Sequence, residues 1–127
     1  MTILTHPNPL LRVKAKDIPQ EEISNKKIAR LARQMIRAMY KARGVGLAAP
    51  QVGKSIRLCV IGKDAIPIEF ENTLLGGKND LILINPIITA RSVESAVMEE
   101  GCLSIPGINV QVQRPVFIKA RTQTLEN

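Results

Sequence analysis

The chain of 127 residues has the length of one domain, and its 45% apolar and 23% charged residues are typical of a globular protein. Two Phe, one Tyr and no Trp argue against a module that stacks nucleic-acid bases on aromatic side chains, and nothing indicates sequence-specific nucleic-acid binding. With two cysteines, no signal-peptide pattern and no apolar run of membrane-spanning length, we expect a cytoplasmic protein without a disulfide framework or a membrane partner.

The first regular element predicted after an irregular N-terminal arm is a helix that begins near Ser24. Apolar residues recur at helical spacing over residues 28–42. Ser24 or Asn25 can cap its first turn, and Gly44 suits the position just past its last turn. This pattern predicts an amphipathic helix with one buried face.

The same helix carries much of the formal charge of +7. Its basic residues are Lys26, Lys27, Arg30, Arg33, Arg37, Lys41 and Arg43. A charge run on a helix is usually its solvated face. The functional alternative is attraction to a polyanion such as ribosomal RNA, which makes the ribosome a candidate partner through residues 26–43.

Two buried strands are predicted after the helix, at residues 56–61 and 81–84. Between them, residues 64–80 contain a proline and a glycine pair, which indicates a surface excursion. The second strand is expected to end at Asn85-Pro86, with residues 87–93 as an extension of the sheet.

The last third of the chain predicts further strands. Residues 108–113 alternate apolar and polar side chains, which indicates a half-buried strand with one wet face, and residues 116–120 begin another strand. One helix followed by several short strands predicts an α+β domain with a largely antiparallel sheet.

A segment with almost no side-chain bulk follows the helix, GVGLAAPQ at residues 44–51. Its glycines and alanines let a ligand approach the backbone closely. Gln51 at its end offers a neutral amide donor that can polarise a carbonyl oxygen. The alternative is that the two glycines only end the helix and form a turn.

A second unusual segment is EGCLSIPG at residues 100–107, where Cys102 follows a glycine and lies beside the carboxylates of Glu99 and Glu100. An isolated cysteine is usually a small buried hydrophobic residue. A cysteine nucleophile needs a histidine base and positive surroundings, and the single histidine, His6, lies in the N-terminal arm. Metal ligation through a thiolate is the chemical use that suits Cys102 best.

These two segments, in this order behind the helix, resemble the first and second motifs of the peptide deformylases. The His6-Pro7 arm and the Ile84-Asn85-Pro86 segment are also similar to that family, so the resemblance spans the whole chain. It implies a peptide-deformylase-like α+β fold. The implied activity is the metal-dependent hydrolytic removal of the N-formyl group from the N-terminal methionine of nascent polypeptides.

The resemblance also implies roles for individual residues. Cys102 is the implied thiolate ligand of a catalytic divalent metal, commonly Fe²⁺ and replaceable by Ni²⁺, Co²⁺ or Zn²⁺. The amide N–H of Leu103 and the side chain of Gln51 are the implied donors to the developing oxyanion.

By the same resemblance, the backbone of Val45 and Gly46 pairs with the N-formylmethionyl peptide. Glu100 supports the site structurally, and Arg114 is its candidate salt-bridge partner.

The third motif of the family, a helical His-Glu-x-x-His, is missing from these residues. That motif supplies two metal ligands and the general-base glutamate, and His6 cannot replace them. We therefore expect residues 1–127 to be a single, incomplete domain that lacks the C-terminal metal-binding helix, exposes apolar strand faces and is inactive alone.

Three accounts of the incomplete motif set stay open. The chain is a truncated product, or one half of a split deformylase whose second chain supplies HExxH, or a non-catalytic peptide- or ribosome-binding protein.

Overall fold

The computed structural model describes residues 1–66 and 79–125, so most of the predicted surface excursion lies outside the described residues. The helices are α1 (Gln20–Ile23) and α2 (Lys26–Lys41), with 3₁₀ turns at Pro9–Arg12, Ala49–Val52 and Lys63–Ala65. The strands are β1 (Gly46–Ala48), β2 (Leu58–Ile61), β3 (Leu81–Arg91), β4 (Ser95–Cys102), β5 (Ile105–Pro115) and β6 (Ile118–Gln123). In the part of the chain that the structure describes, no helix is long and apolar enough to cross a membrane.

The strands form two antiparallel sheets, which confirms the predicted α+β class. Four strands pair in the order β1-β2-β3-β6, and β4 and β5 form a separate hairpin. Leu47 pairs with Val60, and Val60 pairs in turn with Ile82, so the first three strands are in continuous register. Among the described strands, β1 is therefore an edge strand with one unpaired side.

The core lies between α2 and the four-stranded sheet. Helix α2 contributes Ile28, Ala32, Met35 and Met39, which recur every three or four residues along one stripe. The sheet contributes Leu47, Leu58, Val60 and Ile84, and Ile18, Ile23 and Ala49 close the margins. The apolar periodicity of the sequence thus marked the buried face of α2 correctly.

The ends of α2 show one confirmed prediction and one correction. The Asn25 side chain accepts a hydrogen bond from the Lys27 N–H at 3.0 Å and caps the first turn. At the other end, the left-handed residue is Arg43, with φ of 58°, and not Gly44. The Gly44 N–H donates to the Met39 carbonyl at 2.9 Å, which completes a Schellman-type stop.

The two strands predicted on either side of Asn85-Pro86 are one strand, β3, so the predicted strand end at this dipeptide is wrong. Pairing with β2 stops at Ile84, and pairing with β6 is irregular between Ile84 and Ile87, so Pro86 costs no regular ladder bond. Asn85 takes a left-handed φ of 49°. Its side-chain amide bonds the N–H and the carbonyl of Ile18, each at 2.9 Å, and holds the arm to the sheet.

The β4–β5 hairpin corrects the prediction of a half-buried strand at 108–113. That segment lies within β5, but Ile108 and Val110 remain 57% and 53% exposed. The hairpin pairs only with itself among the described strands, and most of its residues are exposed on both faces, although Val112 is half-buried. Val97 and Met98 of β4 are also exposed, in agreement with the expectation of uncovered apolar strand faces.

The remaining strand limits differ in smaller ways from the predictions. Strand β2 begins at Leu58, and Ile56 forms only an isolated parallel bridge with Lys16. The predicted strand at 116–120 is β6, which begins at Ile118. Strands β1 and β4 were not predicted, because glycine, alanine, serine and glutamate make their sequences poor in β-branched residues.

Candidate active site

A cavity of about 500 Å³ brings the two unusual segments together. Its lining residues are Arg43, Gly44, Val45, Gly46, Gln51, Gly101, Cys102, Leu103, Ile105, Pro106, Gly107, Ile108 and Asn109. One wall comes from the end of α2 and the start of β1, and the other comes from the turn of the β4–β5 hairpin. Five of the residues to which the resemblance gives a role line it: Val45, Gly46, Gln51, Cys102 and Leu103.

Close packing of Gly44 against Leu103 joins these two walls. A Cβ atom added to Gly44 would lie 2.5 Å from Leu103 Cδ1 and 3.1 Å from its Cγ. Leu103 in turn packs against the hydrophobic core. The glycine after the helix is thus required by a close approach between the two segments, while the turn itself is made by Arg43.

The backbone polar groups of Val45 and Gly46 point to opposite sides of β1. The Val45 carbonyl already accepts a hydrogen bond from the Gly62 N–H at 2.9 Å. The Ala48 N–H points away from β2 to the Gln51 side chain, so by the alternation of strand residues the polar groups of Gly46 also face the free edge. An extended peptide could add to this edge through Gly46, whereas the Val45 carbonyl points toward Gly62.

The Gln51 side-chain amide is held in one orientation. Its Oε1 accepts the Ala48 N–H at 2.9 Å. Its Nε2 donates to Ser104 Oγ at 3.1 Å and lies 3.8 Å from Cys102 Sγ. A half-turn of the amide would set Nε2 against the Ala48 N–H, donor against donor, so the NH₂ end stays beside Cys102.

The two cysteines have different environments. Cys102 is exposed at the cavity, whereas Cys59 on β2 is half-buried. Burial raises the pKa of the Cys59 thiol, because desolvation disfavours the thiolate. Cys102 is therefore the accessible thiol and Cys59 the sequestered one.

The residues that the structure describes do not form a complete metal site. Across 1–66 and 79–125, no group of three or more His, Cys, Asp or Glu side chains could hold a metal ion. Catalytic metal sites normally use three protein ligands, and of these Cys102 could supply only one. These residues therefore do not by themselves fit a catalytic metal.

The N-terminal arm lies closer to this site than the sequence indicated. The Leu4 N–H donates to the Gln51 carbonyl at 2.7 Å, and the His6 N–H donates to the Ser104 carbonyl at 2.8 Å. The arm thus holds the main chain of both segments. The His6 side chain is exposed, and only its backbone makes this contact with Ser104.

The expected salt bridge of Glu100 is confirmed. Arg114 Nε and Nη2 donate to the two carboxylate oxygens of Glu100 at 2.5 and 2.7 Å, a bidentate pair. The hydrogen bond from Arg114 lowers the pKa of Glu100, and the same contact raises the pKa of Arg114. Because strand residues alternate, Glu100 points away from the face of Gly101, which lines the cavity.

The protein is thus an α+β domain in which an exposed thiol, a fixed amide donor and a free strand edge surround the same cavity. This cleft suits an extended peptide. The family model for polypeptide deformylase matches residues 1–127. The chain belongs to the polypeptide deformylase family.

Curated relatives and solved structures agree with this assignment. A peptide deformylase of Prochlorococcus marinus (strain MIT 9515) is 46% identical over 114 residues, which cover 90% of this chain and 51% of the relative. One of Leptospira biflexa is 38% identical over 122 residues, covering 94% of this chain and 65% of the relative. The chain spans about half the length of most of the curated relatives it matches.

The fold is similar to that of solved peptide deformylases. The crystal structure from Thermotoga maritima aligns with a TM-score of 0.82 at 34% identity and covers 98% of this chain and 74% of that one. The actinonin-bound class I type b enzyme of Acinetobacter baumannii aligns with a TM-score of 0.85 at 28% identity, over 99% of this chain and 76% of that one.

Proposed function

We propose that this chain forms the groove- and thiol-bearing part of a peptide deformylase, which hydrolyses the N-formyl group of a nascent polypeptide to formate and a free N-terminal amine. The observation that carries the proposal is the fixed NH₂ group of Gln51 beside Cys102, in a cavity shared by both motifs. We place the enzyme in the cytoplasm, where nascent chains are made.

In this proposal each cavity residue has one task. The formyl oxygen accepts hydrogen bonds from the Gln51 side chain and the Leu103 N–H as negative charge develops on it. The outward backbone groups of Gly46 pair with the substrate peptide along the free edge of β1. Cys102 is one metal ligand, with Fe²⁺ as the expected ion and Ni²⁺, Co²⁺ or Zn²⁺ as alternatives.

The remaining ligands and the general-base glutamate are outside these 127 residues, since the sequence contains a single histidine. A His-Glu-x-x-His segment, on a continuation of the polypeptide or on a second chain, completes the domain. Metal binding would then contribute to the assembly of the two parts.

The test is formate release from formylmethionyl peptides in the presence of Fe²⁺ or Ni²⁺. We expect no release by residues 1–127 alone and release once a C-terminal segment containing HExxH is supplied. Cys102→Ser should abolish that activity, while Cys59→Ser, the same change of the other thiol, should keep it. Turnover by residues 1–127 without the segment would contradict the proposal.

The oxyanion donors have a separate test. Gln51→Ala in the completed enzyme should lower kcat by about 10² to 10³, the usual effect of losing one such donor, with a small change in KM. An unchanged kcat would remove Gln51 from the reaction.

A second candidate function, binding to the ribosome through RNA phosphates, is favoured by the exposed face of α2. Lys26, Arg30, Arg33, Arg37 and Lys41 recur every three or four residues opposite the buried stripe, and all are exposed. This cationic row is about 22 Å long, from a rise of about 1.5 Å per residue. Among the described residues, the two salt bridges involve other groups, so no carboxylate neutralises the row.

Co-sedimentation with ribosomes at low and raised salt tests this second candidate. We expect binding that falls steeply as salt rises, because phosphate contacts release counterions. Arg30→Glu with Arg37→Glu should abolish it. The matched reversal of Lys119 and Arg121 on β6 should have a much smaller effect. Absent or salt-insensitive binding would leave the row as a solvated helix face.

A further inference from the structure

Ser104 is the only polar or charged residue that is buried in the described part of the chain, with 4% of its surface exposed. A buried hydroxyl normally has a hydrogen-bond partner, because leaving it unpaired costs free energy. Its partner is the Gln51 amide, whose Nε2 donates to Ser104 Oγ at 3.1 Å. The contact joins the two motifs directly.

The main chain at Ser104 is itself held in place. Its carbonyl accepts the His6 N–H at 2.8 Å, so the N-terminal arm fixes the position from which the hydroxyl reaches Gln51. The Gln51 carbonyl is fixed by the same arm, through the Leu4 N–H at 2.7 Å. Both ends of the Gln51–Ser104 contact therefore rest on a hydrogen-bonded backbone.

The Gln51 amide has two anchors with different effects. The Ala48 N–H selects which end of the amide faces Cys102, since it requires Oε1 at 2.9 Å. That bond alone still allows the amide plane to turn about it. The Ser104 hydroxyl removes this freedom by accepting one of the two Nε2 hydrogens, and the other is left to point toward Cys102 at 3.8 Å.

We propose that Ser104 is a positioning residue: its hydroxyl binds one N–H of Gln51 and so directs the other into the cavity beside Cys102. The catalytic consequence rests on the proposed deformylase function. The contact itself exists in the chain without substrate, so the two can be tested separately.

The side-chain amide signals of Gln51 in ¹H–¹⁵N NMR spectra of residues 1–127 report the contact directly, and Gln51→Ala assigns them. In the native chain we expect proton shifts displaced from those of a free glutamine amide, with slow solvent exchange. Ser104→Ala should move the shifts toward the free-amide values and speed exchange, while the backbone signals of α2 stay in place. Ser104→Thr, which keeps the hydroxyl, should behave like the native chain.

Ser104→Val gives a second comparison, because valine and threonine differ only in that hydroxyl and have nearly the same size. A Thr variant with native Gln51 signals and a Val variant without them would support positioning. Gln51 signals unchanged by both Ala and Val substitutions would overturn it.

Formate release then separates this inference from the function it rests on. In the completed enzyme, Ser104→Ala should lower kcat by about tenfold to hundredfold with little change in KM, and Ser104→Thr should restore it. If Ser104→Ala alters the Gln51 signals but leaves kcat unchanged, the catalytic part of the inference is wrong. No formate release by the unmutated completed enzyme would instead reject the deformylase function and leave the contact standing.

Discussion

Replacing Gly44 by alanine tests whether the two motifs are held together by close packing. The added Cβ would lie 2.5 Å from Leu103 Cδ1, whereas ordinary contacts begin near 3.4 Å, so Leu103 must move by about 1 Å. Turning the terminal methyl groups does not suffice, because Leu103 Cγ is also only 3.1 Å away. Overpacking of this kind costs about 1 to 3 kcal/mol.

An opposing effect reduces the net cost of Gly44→Ala. Gly44 does not have a positive φ, so alanine is compatible with its backbone and reduces the entropy of the unfolded chain by about 0.4 to 1 kcal/mol. We therefore expect a net loss of between about 0 and 2.6 kcal/mol in the free energy of unfolding, centred near 1 kcal/mol. Urea denaturation followed by circular dichroism measures it.

Two further variants decide whether the clash is the cause. Gly46→Ala is the matched control, because its Cβ would meet only the Val60 carbonyl oxygen, at 3.4 Å, and should be neutral or slightly stabilising. In a Leu103→Ala background the clash is gone, so Gly44→Ala should no longer destabilise the protein. An equal cost with and without the Leu103 side chain would refute the packing argument.

Three other predictions follow from single contacts. Arg43→Gly should raise the free energy of unfolding by about 1 kcal/mol, since a non-glycine residue in the left-handed region is strained, and an unchanged urea midpoint would contradict this. The hydrogen bond to Asp80 raises the pKa of Tyr40, the only tyrosine in the sequence. The absorbance of its tyrosinate should therefore appear at a higher pH than for a free tyrosine. In Asp80→Ala the pH at which it appears should return toward that of a free tyrosine. Because the folded pKa is the higher one, this contact stabilises the fold below the unfolded pKa of about 10, and the stabilisation is lost as pH rises through the folded pKa. A thiol reagent should modify the exposed Cys102 quickly and Cys59 slowly until the chain is unfolded, and two equally fast thiols in the native chain would show that Cys59 is accessible.

The sequence predicted the parts of the fold that depend on local periodicity. The stripe that includes Ile28 and Met35 identified the buried face of α2, because a helix buries every third or fourth residue whatever covers it. The alternation around Val110 identified a strand but not its burial, since an alternating strand is half-buried only when another layer packs on it. Most residues of β4 and β5 are exposed on both faces of the hairpin.

The Asn85-Pro86 dipeptide was a misleading signal for a related reason. A proline usually ends a strand, because it has no N–H to donate to a neighbouring strand. Pro86, however, lies beyond the part of β3 that pairs with β2, at a point where the pairing of β3 with β6 is irregular. The Asn85 side chain supplies hydrogen bonds to Ile18, 67 residues away in the chain. No local pattern contains that partner.

At the cavity, the two short motifs alone indicated a thiol, an amide donor and a bulk-free backbone segment, and their order resembled one enzyme family. These properties depend on residue type alone. An amide group donates hydrogen bonds, a thiolate binds soft metal ions and a glycine leaves space beside the backbone, whatever the position of the residue in the fold. The tertiary structure decided which atoms meet. The side chains of Gln51 and Cys102, 51 residues apart in the chain, lie side by side, and the Gln51 amide donates a hydrogen bond to the buried Ser104 hydroxyl. The tertiary structure also showed that a residue without a Cβ atom is needed at position 44, because Leu103 packs against it. The Val45 carbonyl accepts a hydrogen bond from the Gly62 N–H. Such contacts depend on how the arm, β1 and the hairpin pack in space, and the spacing of residues along the chain does not carry that information.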